Sequence, residues 1–168
     1  MLQEAIDTYH GLLTDERAQE TAEVLGDAMA RGGLVFGDRP LCTVLRPRFL
    51  PPEQYRYLQA RAAVLLGAFG RAHEAAMADV AFREQFGLSD WEEALIHADP
   101  RFREPAPTSR LDAFFVAERG GLRFTEYNAE TPAAPAYNDV LSELFLALPV
   151  MGEFLRRYVL RPLPARHG

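Results

Sequence analysis

Residues 109–137 read SRLDAFFVAERGGLRFTEYNAETPAAPAY, and the fold of the chain turns on this stretch. Leu111 to Ala117 is almost wholly apolar and Leu122 to Tyr127 alternates, which is the pattern of two β-strands. Arg119, Gly120 and Gly121 lie between them, and glycine supplies the positive φ that a hairpin turn needs. Pro132 and Pro135 mark the loop that follows. The expected fold class is α+β: a small mixed or antiparallel sheet carrying a β-hairpin at about 111–127, packed by several helices.

Four polar residues stand out in the hairpin: Arg110, Asp112, Glu126 and Asn128. In each strand the two lie two positions apart, so they point to one face. Whether the two pairs meet depends on register, because a one-residue slip turns every side chain over. A three-residue loop, Arg119 to Gly121 with Gly121 left-handed, sets Asp112 opposite Asn128 and puts all four on one face. A two-residue loop, Gly120-Gly121, separates the pairs. The expectation is therefore an odd loop length.

An Asp, a Glu and an Asn converging at a strand end form a hard oxygen site. Mg²⁺ takes oxygen ligands and commonly borrows others from phosphates and water. The neighbouring Arg suits phosphoryl oxygens. The short patterns R-x-D and E-x-N also admit a plainer reading, in which Arg110 and Asp112 form a surface ion pair and Glu126 is a solvated strand residue.

The longer string RLDAFF, GGLRFTEYNAETPA, then Tyr137 and Asp139, resembles the circularly permuted ATP-grasp proteins, the group that includes glutathionylspermidine synthase. The positions that carry the resemblance are Arg110, Asp112, Glu126, Tyr127, Asn128, Ala129, Glu130, Thr131 and Pro132, and it extends through LFLALPVMGEF to RPLP. The resemblance is close over the last third and weaker before it. It implies an ATP-dependent carboxylate–amine ligase that forms an acyl phosphate. Asp112, Glu126 and Asn128 would bind Mg²⁺, Arg110 would stabilise the transferring phosphoryl group, and Arg110 and Asp112 would contact ATP. The implied partners are a small-molecule or peptide carboxylate and an amine.

The family order also implies a nucleotide-binding lobe downstream of E-x-N. These 168 residues are thus expected to be the N-terminal portion of such a protein and not to use ATP by themselves. The lobe typically supplies lysines to the phosphates, and all 18 basic residues here are Arg. The rival expectation is a non-catalytic binding or scaffold domain that retains the hairpin. A small independent metal-binding protein is a further one.

Length and composition set outer bounds. The 168 residues suffice for one domain with a real core, read as helical over 1–100 with the hairpin and following helices over 109–160. A net charge of −6 argues against non-specific nucleic-acid binding. The single Cys42 excludes an internal disulfide and a Cys-based metal site, and is expected to be a small buried side chain. The longest apolar run, Ala62 to Gly70, is too short to cross a bilayer, and residues 1–20 carry charges throughout with no signal-peptide core. The expected location is the cytoplasm. The three serines lack a nucleophile elbow, no phosphate-binding GxxxxGK[ST] loop is present, and His73 and His97 have no partner at zinc-ligand spacing.

Elsewhere the pattern is mostly helical. A short helix is expected over 2–13, and a second from Thr14 to Gly32-Gly33. Strands are expected over Leu34–Gly37 and Leu41–Arg46, the second buried on both faces. Arg46 and Arg48 read as exposed loop residues. Pro51-Pro52 starts the longest helix, or a bent pair, running to Phe86. Its expected buried stripe is Leu58, Ala62, Leu65, Phe69, Ala72 and Ala76. Ser89 and Glu92 form a capping box for a helix with Trp91, Leu95 and Ile96 on its apolar side, ending at Asp99-Pro100. Phe102 to Thr108 is a connector. A helix from about Asn138, broken at Pro149 and resuming over Met151–Leu160, completes the chain.

Overall fold

The computed structural model describes residues 1–98, 108–116, 120–130 and 135–163. In chain order its elements are α1 (Leu2–Leu12), α2 (Asp15–Arg31), β1 (Val35–Phe36), β2 (Arg39–Pro40), α3 (Pro52–Ala78), α4 (Val80–Arg83), a 3₁₀ turn (Glu84–Phe86), α5 (Asp90–Ile96), β3 (Arg110–Val116), β4 (Gly121–Asn128), α6 (Pro135–Ala147) and α7 (Pro149–Phe154). Helices combine with two antiparallel two-stranded ribbons, so the α+β class holds. The chain divides into two compact units, Met1–Pro51 with Ala133–Gly168, and Pro52–Pro132.

The first unit is built on apolar burial. Thr14 caps α2, its hydroxyl accepting from the Arg17 amide, and Gly32 closes that helix before Gly33 turns at φ +69°. Tyr9, Leu25, Met29, Leu34, Phe145, Leu148, Val150, Met151 and Phe154 form one core. Phe49 stacks on Phe154 at 5.0 Å between centroids, and Tyr9 meets both rings edge-on. The Tyr9 hydroxyl donates to the Leu45 carbonyl at 3.1 Å. Burial pushes the Tyr9 phenol up to about 12, against a small opposing pull from Arg46. Pro149 opens α7 and separates it from α6, as expected, but α6 begins three residues earlier than Asn138 and α7 ends at Phe154.

Residues 41–46 are not a strand. Pro40 pairs with Val35 in β2, and the chain beyond it leaves the ribbon with Leu41 and Val44 exposed. Pairing runs one bond past the proline, the Leu41 amide donating to the Leu34 carbonyl at 3.0 Å, and ends there. Cys42 is half-buried against the core edge, its thiol 3.6 Å from the Val44 carbonyl. Arg48 is exposed as expected, whereas Arg46 is half-buried and donates to His10 Nε2 at 3.0 Å.

The second unit is held differently. The long helix is a broken one: Asp79 leaves the helical region and its carboxylate caps α4 by accepting from the Ala81 and Phe82 amides. None of α3 is buried, which corrects the expected buried stripe. Leu58, Ala62, Leu65, Ala72 and Ala76 are half-buried, and Phe69 is 37% exposed. The Ser89–Glu92 capping box forms and holds the Glu92 carboxyl below the usual range through hydrogen bonds from Ser89. Trp91 and Leu95 are exposed rather than packed, because nothing among the described residues covers that side of α5. The buried side chain here is Arg83, whose Nε reaches both Glu93 oxygens at 3.0–3.1 Å and whose Nη1 donates to the Ala76 carbonyl at 2.7 Å. That fork ties the end of α3 to α4 and α5. The expected helix end at Asp99-Pro100 and the connector up to residue 107 lie outside the described residues.

Candidate functional site

The site stands at the open end of the β3–β4 hairpin. On β3, strand alternation sends Leu111, Ala113 and Phe115 to one face and Arg110, Asp112 and Phe114 to the other. The first face packs on α3: Phe115 stacks near Tyr57 at 6.0 Å and Tyr127 stacks on Phe69 at 4.4 Å. The polar face therefore points away from α3.

The register corrects the sequence expectation in detail and preserves its outcome. Val116 pairs with Gly121, leaving a four-residue connection, 117–120, rather than three. The left-handed glycine is Gly120, at φ +58°, and not Gly121. An even connection alone would set Glu126 and Asn128 on the α3 face. A β-bulge between Asp112 and Ala113 restores the parity: Ala113 pairs with Phe124, Asp112 pairs with Glu126, and Thr125 is the extra residue. Its hydroxyl donates to the Asp112 carbonyl at 3.1 Å. Beyond it Leu111 faces Tyr127 and Arg110 faces Asn128. Asp112 thus lies opposite Glu126, not opposite Asn128, and all four expected residues share one face.

Their side chains form a network. Arg110 Nε donates to Asp112 Oδ1 at 2.7 Å and Nη2 to Oδ2 at 3.2 Å, a two-pronged ion pair. With the Asn128 amide nitrogen turned toward Glu126, Nδ2 donates to Glu126 Oε1 at 3.2 Å and Oδ1 accepts from Arg110 Nη2 at 3.2 Å. Arg110 and Asp112 are about one-third exposed, at 35% and 37%. The Arg110 guanidinium, with a smaller contribution from Glu126, holds the Asp112 carboxyl below the usual carboxylate range. The hydrogen bond to Asp112 in turn pushes Arg110 up. The ion pair of the plainer sequence reading is thus present, and Glu126 and Asn128 are drawn into it.

The donor set is of the chemical kind that Mg²⁺ takes. Asp112 Oδ1, Asp112 Oδ2 and Asn128 Oδ1 already converge on one cation, the Arg110 guanidinium, and every donor is a hard oxygen. Among the described residues no group of three or more His, Cys, Asp or Glu side chains is placed to hold a metal ion. A crevice of about 100 Å³ in the first unit, lined by Arg17, Thr21, Val150 and Glu153, touches none of these residues and encloses the Arg17–Glu153 ion pair.

The residue that sequence reasoning missed is Thr125. Its signal was present in the apolar spacing of β4, where Leu122 and Phe124 are two apart and the next packed ring, Tyr127, is three further on. A step of three in a period of two marks a bulge.

Comparison with protein-family models, with curated proteins and with solved structures finds no match to this chain. No helix among the described residues is long and apolar enough to cross a membrane.

Proposed function

We propose that the open end of the hairpin is the metal and phosphoryl corner of an ATP-dependent carboxylate–amine ligase of the circularly permuted ATP-grasp kind. The observation that supports this reading is the bulge at Thr125, which brings Arg110, Asp112, Glu126 and Asn128 to one face with their polar atoms in mutual contact. Asp112, Glu126 and Asn128 would hold Mg²⁺, which supplies charge neutralisation at the phosphates when bound. Arg110 would steady the phosphoryl group as it passes to the substrate carboxylate, its planar fork matching two phosphoryl oxygens. The purine and most of the triphosphate are assigned to a nucleotide-binding lobe beyond this hairpin. The strand backbone positions the four groups, and packing of Phe115 and Tyr127 on α3 keeps the opposite face fixed.

The test is trapping of the acyl phosphate. The full product of the gene is incubated with MgATP, a panel of carboxylic acids and hydroxylamine, and hydroxamate is measured. Glu126→Ala and Asn128→Ala are expected to lower hydroxamate formation at least about hundredfold while the hairpin amide spectrum is retained. Full turnover in both variants would remove this assignment. The second reading, a docking domain without catalysis, draws on the exposure of Trp91, Leu95 and Phe114, at 65%, 60% and 71%. It predicts no hydroxamate with any acid.

A further inference from the structure

The four-residue network carries a consequence for what the proposed site admits, and it rests on the reading of that site as a metal and phosphoryl corner. Both oxygens of Asp112 are taken by Arg110, at 2.7 and 3.2 Å, and the Asn128 carbonyl oxygen is taken by the same Nη2 at 3.2 Å. Glu126 in turn accepts from Asn128 Nδ2 at 3.2 Å. Each oxygen that would face a divalent cation, one oxygen of Glu126 apart, is therefore already engaged with a side chain of the network. We infer that Arg110 is the built-in counter-ion of this site, so that it admits a divalent cation as a metal–polyphosphate complex and excludes the free metal ion.

The physical reason is competition for the same oxygens. A free divalent cation entering beside Asp112 must either share it with a guanidinium a few ångströms away, against like-charge repulsion, or drive the guanidinium into water. Neither replaces the two-pronged bond that is broken. A polyphosphate changes the balance, because its oxygens give the guanidinium a planar, two-pronged partner as good as the one it leaves. Asp112, Glu126 and Asn128 are then released to the metal together. Arg110 can make this exchange because it is one-third exposed. The consequence is an order of entry: the phosphates and the metal arrive as one species.

The experiment titrates the full chain, wild type and Arg110→Gln, followed by NMR at the Asn128 side-chain amide and the Asp112 and Glu126 backbone amides. The probes are Mg²⁺ alone and Mg²⁺ with inorganic tripolyphosphate. The expected result is a crossover. Arg110→Gln should bind free Mg²⁺ roughly tenfold more tightly than wild type and Mg-tripolyphosphate roughly tenfold more weakly. Arg110→Lys keeps the positive charge and should leave free Mg²⁺ binding as weak as in wild type, which separates loss of charge from any disturbance of the strand. Equal affinity of wild type and Arg110→Gln for free Mg²⁺ overturns the inference and leaves the metal site standing. No response of Asp112, Glu126 or Asn128 to Mg²⁺ in either form, in wild type and Arg110→Gln alike, overturns the metal site itself.

Discussion

Phe154 of the first unit stacks on Tyr158 at 4.5 Å, and Phe69 of the second stacks on Tyr127 at 4.4 Å. The ring contacts are nearly the same, yet Phe154 is 0% exposed and Phe69 is 37% exposed. The buried hydrophobic residues of the described chain, from Ala5 to Phe154, all lie in the first unit, while the second buries Arg83. The first unit is thus held mainly by removal of apolar surface from water, and the second by caps, a forked arginine and two aromatic stacks. The proposed site sits on the second, where its strand ends are reachable from solvent. Sites of binding are commonly drawn from the less deeply packed parts of a fold.

The strongest test of this contrast is truncation of the two rings. Phe154→Ala should cost about 3–5 kcal/mol, since it empties a fully enclosed position. Phe69→Ala should cost about 1 kcal/mol, since water already reaches that ring. Urea unfolding followed by resolved NMR signals in each unit reads both values. A larger loss from Phe69→Ala would break the comparison.

Next in size is the alkaline limit of the first unit. The Tyr9 phenol is pushed from 10.0 up to about 12, so the folded state favours the neutral form. The stabilisation is full below pH 10 and is lost as pH rises toward 12. It amounts to about 2–3 kcal/mol at 1.36 kcal/mol per unit. Urea midpoints between pH 9 and 12 should fall for wild type and stay flatter for Tyr9→Phe. Parallel decline in both would place the alkaline sensitivity elsewhere.

For the second unit the informative change is Arg83→Ala. It strands the Ala76 carbonyl and leaves Glu93, which is 36% exposed, to water. The expected cost is about 1–2 kcal/mol, read as faster amide exchange in α4 and α5 with α1 and α7 unchanged. Arg83→Lys should not restore protection, because one ammonium cannot reach both the Glu93 carboxylate and the Ala76 carbonyl.

The parts of this fold written in local chemistry were legible in the sequence. Thr14, Gly32, the Ser89–Glu92 box and Pro149 each mark a helix boundary that the structure keeps, because a cap is decided within four residues. The polar quartet was legible as residues but not as a register. Its common face depends on one extra residue, Thr125, and a bulge shows only as a phase slip between Phe124 and Tyr127. Burial was least legible. Helical spacing picked out Phe69, which stacks on Tyr127 of the hairpin, but spacing fixes direction and not depth, so Phe69 and Leu65 could not be told from Leu25 and Met29. The segment 41–46 failed for a related reason: β-branched and apolar residues favour a strand only where a partner strand exists, and the pairing with the strand before it stops after the Leu41–Leu34 bond.

The smallest effect, and the one that sharpens the site, is the titration of Asp112. Its carboxyl is held below the ordinary 3.8, chiefly by the hydrogen bonds from Arg110. A depressed carboxyl favours the folded hairpin above the unfolded value and loses that preference as pH falls through the lower, folded one. The ion pair should therefore persist as pH falls past the ordinary aspartate value and open only at more acid pH. Carboxyl ¹³C shifts would follow this directly, with the Asn128 side-chain amide as a second reporter, since its carbonyl oxygen shares Arg110 Nη2 with Asp112. In Arg110→Gln the Asp112 midpoint should rise, because the largest cause of the depression is gone and only the smaller one from Glu126 remains. If the midpoint stays low in that variant, the strand backbone rather than the guanidinium sets the charge of the site. Arg110 would then not be the counter-ion that a metal–phosphate complex must move.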